Sequence, residues 1–388
     1  MFSVLKRRFL NPLFEFFNDS RAIGVVLLTC TFISLIISNL PDGDTYSNFW
    51  NIEFHIFETL HLPHSLLHWI NDGLMAVFFF LVGMEIKREM VEGELSSFRQ
   101  SLLPITGALG GMIAPALIFL LFTYGSVYQG GWGIPTATDI AFSLGIASLL
   151  GKRAPIGLKI FLTALAIIDD LGAILIIALF YGGTINLWLL LACVAIVIII
   201  YFLNKRSRHF GVIHILLGLL LWYCMFNSGI HATVAGVIFA FLVPVRLLTR
   251  YENKLHHPVY FLVMPIFALA NTAIVIPGGG VGILNSALPW GIMLGLFLGK
   301  PLGIFLSTYI LIKLRLADLP TNTNFFKMAG AGILAGIGFT MSIFISTLAF
   351  EDKQFQDISK IAVLVASFAS MIVGYLWLYS SKKPAEGL

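Results

Sequence analysis

The chain alternates long apolar runs with short polar connections. A helix that crosses a bilayer needs about 20 predominantly apolar residues, within a range of about 17–25. Runs of this kind recur near 22–40, 66–90, 102–123, 134–150, 156–181, 187–203, 211–226, 229–244, 259–277, 289–312, 327–350 and 359–380. The pattern predicts an all-α polytopic membrane protein with twelve transmembrane helices, built as one domain over residues 1–388. Ahead of the first run, Phe2, Leu5, Phe9, Leu13 and Phe17 recur at helical spacing beside Lys6, Arg7 and Arg8. Over Met1 to Arg21 this predicts a short amphipathic helix on the membrane surface. The first run itself is longer than a signal-peptide core and lacks a small-residue cleavage site, so it reads as a retained span.

Three stretches depart from plain apolar helix. The longest polar connection, 41–65, contains Asn51-Ile52-Glu53-Phe54-His55-Ile56, which alternates polar and apolar as a strand does. An exposed strand pair there would offer an edge to a second copy of the chain; an irregular loop on the lipid surface is the other reading. The fourth run opens Ile134-Pro135-Thr136-Ala137-Thr138-Asp139, and the eleventh carries Gly330, Gly332, Gly336 and Gly338. Proline and threonine disturb helical hydrogen bonding, and glycine at that density permits unwinding. Non-helical backbone at membrane depth is tolerated only inside protein or beside a water-filled cavity. Both runs are therefore expected to line an ion path, although glycines also make close-packing faces. Their separation by seven runs reverses their orientation, so 102–181 and 289–380 are candidate inverted repeats, each with an interrupted middle helix crossing the other.

Composition agrees: 58% of residues are hydrophobic and 11% charged, against about 45–50% apolar and about 25% charged in a soluble domain. The net charge of +4 does not point to nucleic acid, because the basic residues cluster between apolar runs. With the N-terminus inside, only Lys353 and Lys360 fall outside and Lys300 falls within a span, leaving 21 of the 24 Lys and Arg on the cytoplasmic side (24 less 3). That asymmetry is what the positive-inside rule predicts for twelve spans with both termini cytoplasmic. Cys30, Cys193 and Cys224 lie inside apolar runs without paired spacing and read as small buried hydrophobes.

The informative residues are ionisable groups inside the spans: Asp72, Glu85, Asp139, Asp169, Asp170 and Lys300. One such charge costs roughly 2.5–3.5 kcal/mol at a helix centre, so they must face one another or water. Asp169 and Asp170 are adjacent, and on a helix they point about 100° apart. Lys300 is the intramembrane cation and the natural partner of one of them. Thr138 and Asp139 add oxygens, the ligands that hard cations prefer. A carboxyl group taken out of water holds its proton to higher pH, so such a site can exchange H⁺ for Na⁺. At two crossed helix breaks, Asp139 would supply the negative and Lys300 the positive compensation for the helix ends. Glu85 sits among Lys87, Arg88, Glu89, Glu92, Glu94 and Arg99, either a solvated helix end or a pH-responsive cluster. Asp72, after Asn71, is either functional or a capping residue. His231 and His256 titrate in a range suited to pH response.

The stretches Trp69–Phe79 with Asn71-Asp72, Ala137-Thr138-Asp139-Ile140-Ala141-Phe142, Ala164–Ala173 with Asp169-Asp170, Gly299-Lys300-Pro301-Leu302-Gly303 and Gly336–Ser342 resemble the NhaA-type Na⁺/H⁺ antiporters, in order along essentially the whole chain. The resemblance implies a twelve-helix, usually dimeric inner-membrane protein of the inverted-repeat antiporter fold. It implies that Asp170 is the principal Na⁺ and proton carrier, assisted by Asp169 with Lys300 as its alkaline-sensitive partner. Thr138 and Asp139 would sit at the crossing of the broken helices. Glu85, Glu252 and His231 would belong to the pH-responsive apparatus. The 41–65 loop lacks a clear tight turn, a departure at the expected dimer contact.

The expected activity is electrogenic Na⁺(Li⁺)/H⁺ antiport, activated at alkaline pH and serving Na⁺ and pH homeostasis, with no cofactor and no enzymatic chemistry. A Na⁺-coupled symporter would use similar ligands but need a larger polar cavity. An intramembrane aspartyl protease would need two aspartates facing each other across helices, which adjacent residues do not do.

Overall fold

The computed structural model describes residues 20–54, 61–206, 210–276 and 284–381. The amphipathic helix expected over Met1 to Arg21 lies outside them except for its last two residues, as do His55 and Ile56 of the alternating stretch, Arg208, and Lys382 and Lys383. The described residues form an all-α bundle. Its helices are α1 (Ser20–Ser38), α2 (Gly43–Trp50), α3 (Leu66–Val91), α4 (Phe98–Thr123), α5 (Ile140–Leu149), α6 (Ile156–Phe180), α7 (Leu187–Arg206), α8 (Val212–Phe226), α9 (Thr233–Leu242), α10 (Val245–Asn271), α11 (Ala287–Lys313), α12 (Phe325–Ala335), α13 (Phe339–Ala349) and α14 (Lys353–Ser380). Six of these, α3, α4, α6, α7, α11 and α14, are long and apolar enough to span a membrane singly. The bent pairs α9–α10 (106°) and α12–α13 (45°) raise the number to eight. The remaining apolar runs fall short because their helices are interrupted or brief, as α5, α1 and α8 are.

The 41–65 connection differs from a plain strand pair. Tyr46, Phe49 and Trp50 recur at helical spacing and form α2, with Trp50 buried. The alternating stretch then makes one antiparallel bridge, Glu53 to Ser65, with the Phe54 amide donating to the His64 carbonyl at 2.7 Å.

Two glycine contacts set the core. At the α4–α11 crossing, Gly110 and Gly303 each lie against the other's carbonyl, leaving no room for a Cβ on either. At α3–α9, a Cβ on Gly236 would meet the Ala76 carbonyl. Small residues let the backbones approach where lipid supplies no hydrophobic drive between helices.

Three helices contain single π-helical turns, at Trp69–Leu74, Val259–Val263 and Gly295–Gly299. Two stand beside prolines, Pro265 and Pro301, which lack the N–H that would close an ordinary turn. The first frees the Asp72 carbonyl, which accepts from the Trp222 indole at 3.0 Å. Such turns concentrate at functional sites. Here they precede Lys300, hold Tyr260, and hold Asp72.

A buried charged centre where two helix breaks meet

A 3₁₀ segment, Gln129–Thr136, leads into α5 through extended residues ending at Asp139, and α12 stops at Ala335 before α13 begins at Phe339. The two non-helical segments touch: the Asp139 amide donates to the Ile337 carbonyl at 2.7 Å. The sequence folds this way because Pro135 ends the first segment, while Gly336 and Gly338 end the second. Where Cβ atoms would stand on these glycines, the Leu296 carbonyl lies at 2.6 Å and the Ser342 hydroxyl closer still.

Asp139 caps both following helices. Its Oδ1 accepts from the Phe142 amide at 3.3 Å. Its Oδ2 accepts from the Thr340 amide at 3.2 Å and from the Thr340 hydroxyl. One carboxylate thus answers two helix N-termini, whose free N–H groups and dipoles attract negative charge. At the opposite polarity, Lys300 Nζ donates to the Thr136 carbonyl, at the end of the 3₁₀ segment, and forms an ion pair with Asp169. The Thr138 hydroxyl reaches Asp169 Oδ2 at 2.6 Å and the Ala335 carbonyl at 3.0 Å. Ser342 donates to the Ile134 carbonyl at 2.7 Å. Thr138, Asp139, Asp169, Asp170, Lys300 and Thr340 are all buried.

Asp170 is different. Its Oδ1 is buried without a hydrogen-bond partner among the described residues, as is Oδ1 of Asp169. It lies in the electrostatic field of Asp169, Asp139, Glu85 and Lys300. Tyr260, on the α10 π-turn, is buried within the field of the same acidic groups. A buried, unbonded carboxylate oxygen ringed by acidic groups is suited to receive a proton or a hard cation.

Glu85 is half-buried and shares that interior field, so it is not simply a solvated helix end. Its neighbour Arg88 pairs with Glu252 at 2.9 Å and Glu89 at 3.2 Å. Lys87 leaves the cluster and caps the C-terminus of α9 through the Phe241 carbonyl at 2.7 Å and the Val243 carbonyl. Asp72 and His231 come together elsewhere, at the far end of α3, 3.5 Å apart. His256 packs against Tyr260, the rings tilted at 53° with centroids 4.7 Å apart.

Thr340 and Ser367 were not singled out as site residues from the sequence. Thr340 follows the Gly-Ile-Gly stretch, and a hydroxyl beside a predicted break was a usable signal. Ser367 accepts from the Phe339 amide at 3.0 Å, but a lone serine in an apolar helix carries no such signal.

The fold and the centre together define a class: an α-helical membrane protein that holds ionisable groups at a buried helix break, as a secondary ion transporter does. Residues 14–378 match the family described as Na+/H+ antiporter 1. Similar proteins include the Na(+)/H(+) antiporter NhaA of Proteus mirabilis, 46% identical over 376 residues (94% of this chain, 96% of that protein). The Na(+)/H(+) antiporter NhaA 2 of Flavobacterium johnsoniae is 47% identical over 378 residues (95% and 92%). The Na(+)/H(+) antiporter NhaA of Cytophaga hutchinsonii is 44% identical over 375 residues (95% of each). The chain belongs to the Na⁺/H⁺ antiporter 1 family.

Proposed function

We propose that the protein extrudes Na⁺ or Li⁺ from the cytoplasm in exchange for external protons, with Asp170 as the carrier of both. The observation that carries this assignment is the contrast inside the centre. Lys300 and Thr138 hold Oδ2 of Asp169 and leave its Oδ1 open, whereas Asp170 has a buried, unclaimed Oδ1 and no ion pair among the described residues. On this reading, protons leave towards the cytoplasm, Na⁺ takes their place, the loaded site opens outward, and external protons displace the ion. Asp169 assists, and Asp139 and Thr138 hold the breaks in register. More than one titratable group at the centre makes exchange electrogenic, and alkaline pH accelerates it by removing the competing proton.

The same reading takes the apolar runs as twelve spans in a bacterial inner membrane, with both termini cytoplasmic, supported by the distribution of Lys and Arg. It takes 102–181 and 289–380 as inverted repeats whose interrupted helices, spans 4 and 11, cross at the centre. The meeting of the two breaks and their shared cap, Asp139, support this. Glu85, Glu252 and His231 tune the response to pH. A homodimer forms through the 41–65 connection, whose Glu53–Ser65 bridge leaves a short edge.

Everted membrane vesicles with an acid interior test the exchange. Na⁺ and Li⁺ added at about pH 8.5 should collapse the gradient, and less so at about pH 7. If expressed protein moves no protons with Na⁺, Li⁺ or K⁺, the exchange assignment fails and Na⁺-coupled solute uptake is the reading to test next.

A further inference from the structure

α14 is one continuous helix packed beside both interrupted spans, and it is bonded to each of them. Midway along it, the Ser367 hydroxyl accepts from the amide of Phe339, the first residue of α13, at 3.0 Å. Near its C-terminus, the Trp377 indole donates to the Phe326 carbonyl in the first turn of α12 at 2.8 Å, and the two rings stack with centroids 4.7 Å apart. A third attachment reaches the other interrupted span. α5 runs for ten residues from its cap at Asp139 and ends at Leu149. Gly151, at φ +53°, turns the chain through the left-handed region into a short 3₁₀ turn, Gly151–Arg153. Arg153 then donates to the Tyr379 carbonyl in the last turn of α14, and its guanidinium lies over the Tyr379 ring, 3.6 Å from the centroid.

The physical chemistry of that contact is favourable twice over. Carbonyls in the last turn of a helix lack intrahelical donors and stand at the negative end of its dipole. The face of an aromatic ring also attracts a cation. The bonds close a circuit. From Asp139 it runs along α5 to Arg153 and across to Tyr379. It returns along α14 to Ser367, crosses to Phe339, and passes through Thr340 back to Asp139. The α5 side of this frame is about 15 Å long and the α14 side about 18 Å, at the rise of an α-helix. A stiff helix tied at one end can pivot there; tied at both ends it cannot. Asp139 ties one end of α5 to the second break, and Arg153 ties the other.

We propose that Arg153 is a positioning residue for the ion site: by fastening the far end of α5 to α14, it fixes where Thr138 and Asp139 stand beside the aspartate pair. The inference rests on the antiport reading of that site. Arg153 touches none of the buried charged residues and acts only through α5. The consequence of releasing it follows from what the near end of α5 holds. Asp139 adds to the negative field around Asp170, and the Thr138 hydroxyl bonds to Asp169. A swing of α5 therefore reaches both aspartates, and Na⁺ meets a less well assembled set of oxygens.

The test is a Na⁺ titration of exchange in everted vesicles beside a thermal melt in detergent. Arg153→Gln should raise half-saturating Na⁺ about threefold, the scale of one exposed cation–π contact, while the melting temperature moves by no more than about 2 °C. A merely structural contact would do the reverse, lowering the melt and the maximal rate and leaving half-saturation alone. Arg153→Lys keeps a cation for the ring and the carbonyl and should restore most of the loss. Tyr379→Phe keeps both partners and should behave as wild type, whereas Tyr379→Leu keeps only the carbonyl and should give an intermediate rise. Ser367→Ala opens the same circuit at its other join and should raise half-saturating Na⁺ as well. Added to Arg153→Gln it should change little more, because the frame is already open; independent residues this far apart would multiply their effects. Unchanged half-saturation in Arg153→Gln, at any maximal rate, overturns the proposal, and so does a double variant whose rise is the product of the two single ones. Should Arg153→Gln fail to fold, Tyr379→Leu decides, and no rise there overturns the proposal. Loss of all exchange in wild type would instead overturn the antiport reading, and this assignment with it.

Discussion

Asp169 and Asp170 follow one another on α6, yet they face differently built sides of one centre. On the Lys300 side, Asp169 Oδ2 holds an ion pair and a hydroxyl, the Thr136 carbonyl is taken by the same lysine, and Asp139 closes two helix ends. On the other side, Asp170 carries no ion pair among the described residues, its Oδ1 is buried without a partner, as is the second oxygen of Asp169, and Glu85 adds to the negative field around it. The first arrangement is scaffold. A buried ion pair is weak evidence for stability in itself, but it is costly to break from one side. The second is an unfinished coordination shell, which a protein keeps buried only where something else completes it. The difference teaches that position in sequence does not assign roles within an aspartate pair; the neighbouring helices do.

The largest effect is expected from Asp170→Asn. It should abolish Na⁺-driven collapse of the gradient in everted vesicles while leaving thermal stability in detergent equal to wild type or higher, because it neutralises a charge that has no partner. Retained exchange at unchanged half-saturating Na⁺ would show that the open oxygen is not the carrier. Next comes Lys300→Met. Removing one partner of a buried pair typically costs about 3–5 kcal/mol, since the other charge is stranded. Adding Asp169→Asn should recover most of that loss. A double variant as unstable as the sum of the two single ones would mean that the pair does not organise this side.

How much of this arrangement the sequence disclosed follows from which signals are periodic. Apolar runs are long and repeat, so the helices were legible, as were Pro135 and the Gly336–Gly338 stretch as breaks. Charges at membrane depth are rare enough to stand out, and so Asp139, Asp169, Asp170 and Lys300 could be named without coordinates. Which aspartate Lys300 takes was not legible in the residues themselves, because it depends on the rotation of α6 against α11; only the resemblance named Asp169. Nor was the short helix α2, whose Tyr46, Phe49 and Trp50 were overshadowed by the alternation just after them. The π-turns left only partial traces in Pro265 and Pro301, and the partial burial of Glu85 none, since a helix end rich in charge reads as solvated.

Smaller effects should grade the scaffold side. Thr138→Ala removes a hydroxyl from a buried carboxylate that keeps its lysine. Hydrogen bonds to charged groups contribute about 1.5–3 kcal/mol, so stability should fall within that range, less than for Lys300→Met. Thermal unfolding followed by tryptophan fluorescence would order the two; a larger loss for the threonine would mean that the join to Ala335, not the ion pair, holds the breaks together.

The finest distinction is Thr340→Val, which keeps shape and deletes one donor to Asp139. Asp139 would still accept from the amides of Thr340 and Phe142, so both helix N-termini stay capped. The loss should be about 1 kcal/mol, a typical net value for one hydrogen bond. Because the residue lies on the scaffold side, half-saturating Na⁺ should not change, although maximal exchange can fall with stability. The measurement is a Na⁺ titration of exchange in everted vesicles beside a thermal melt. A marked rise in half-saturating Na⁺ with an unchanged melt would move the Thr340 hydroxyl from scaffold to ligand, and with it redraw the boundary between the two sides of the centre.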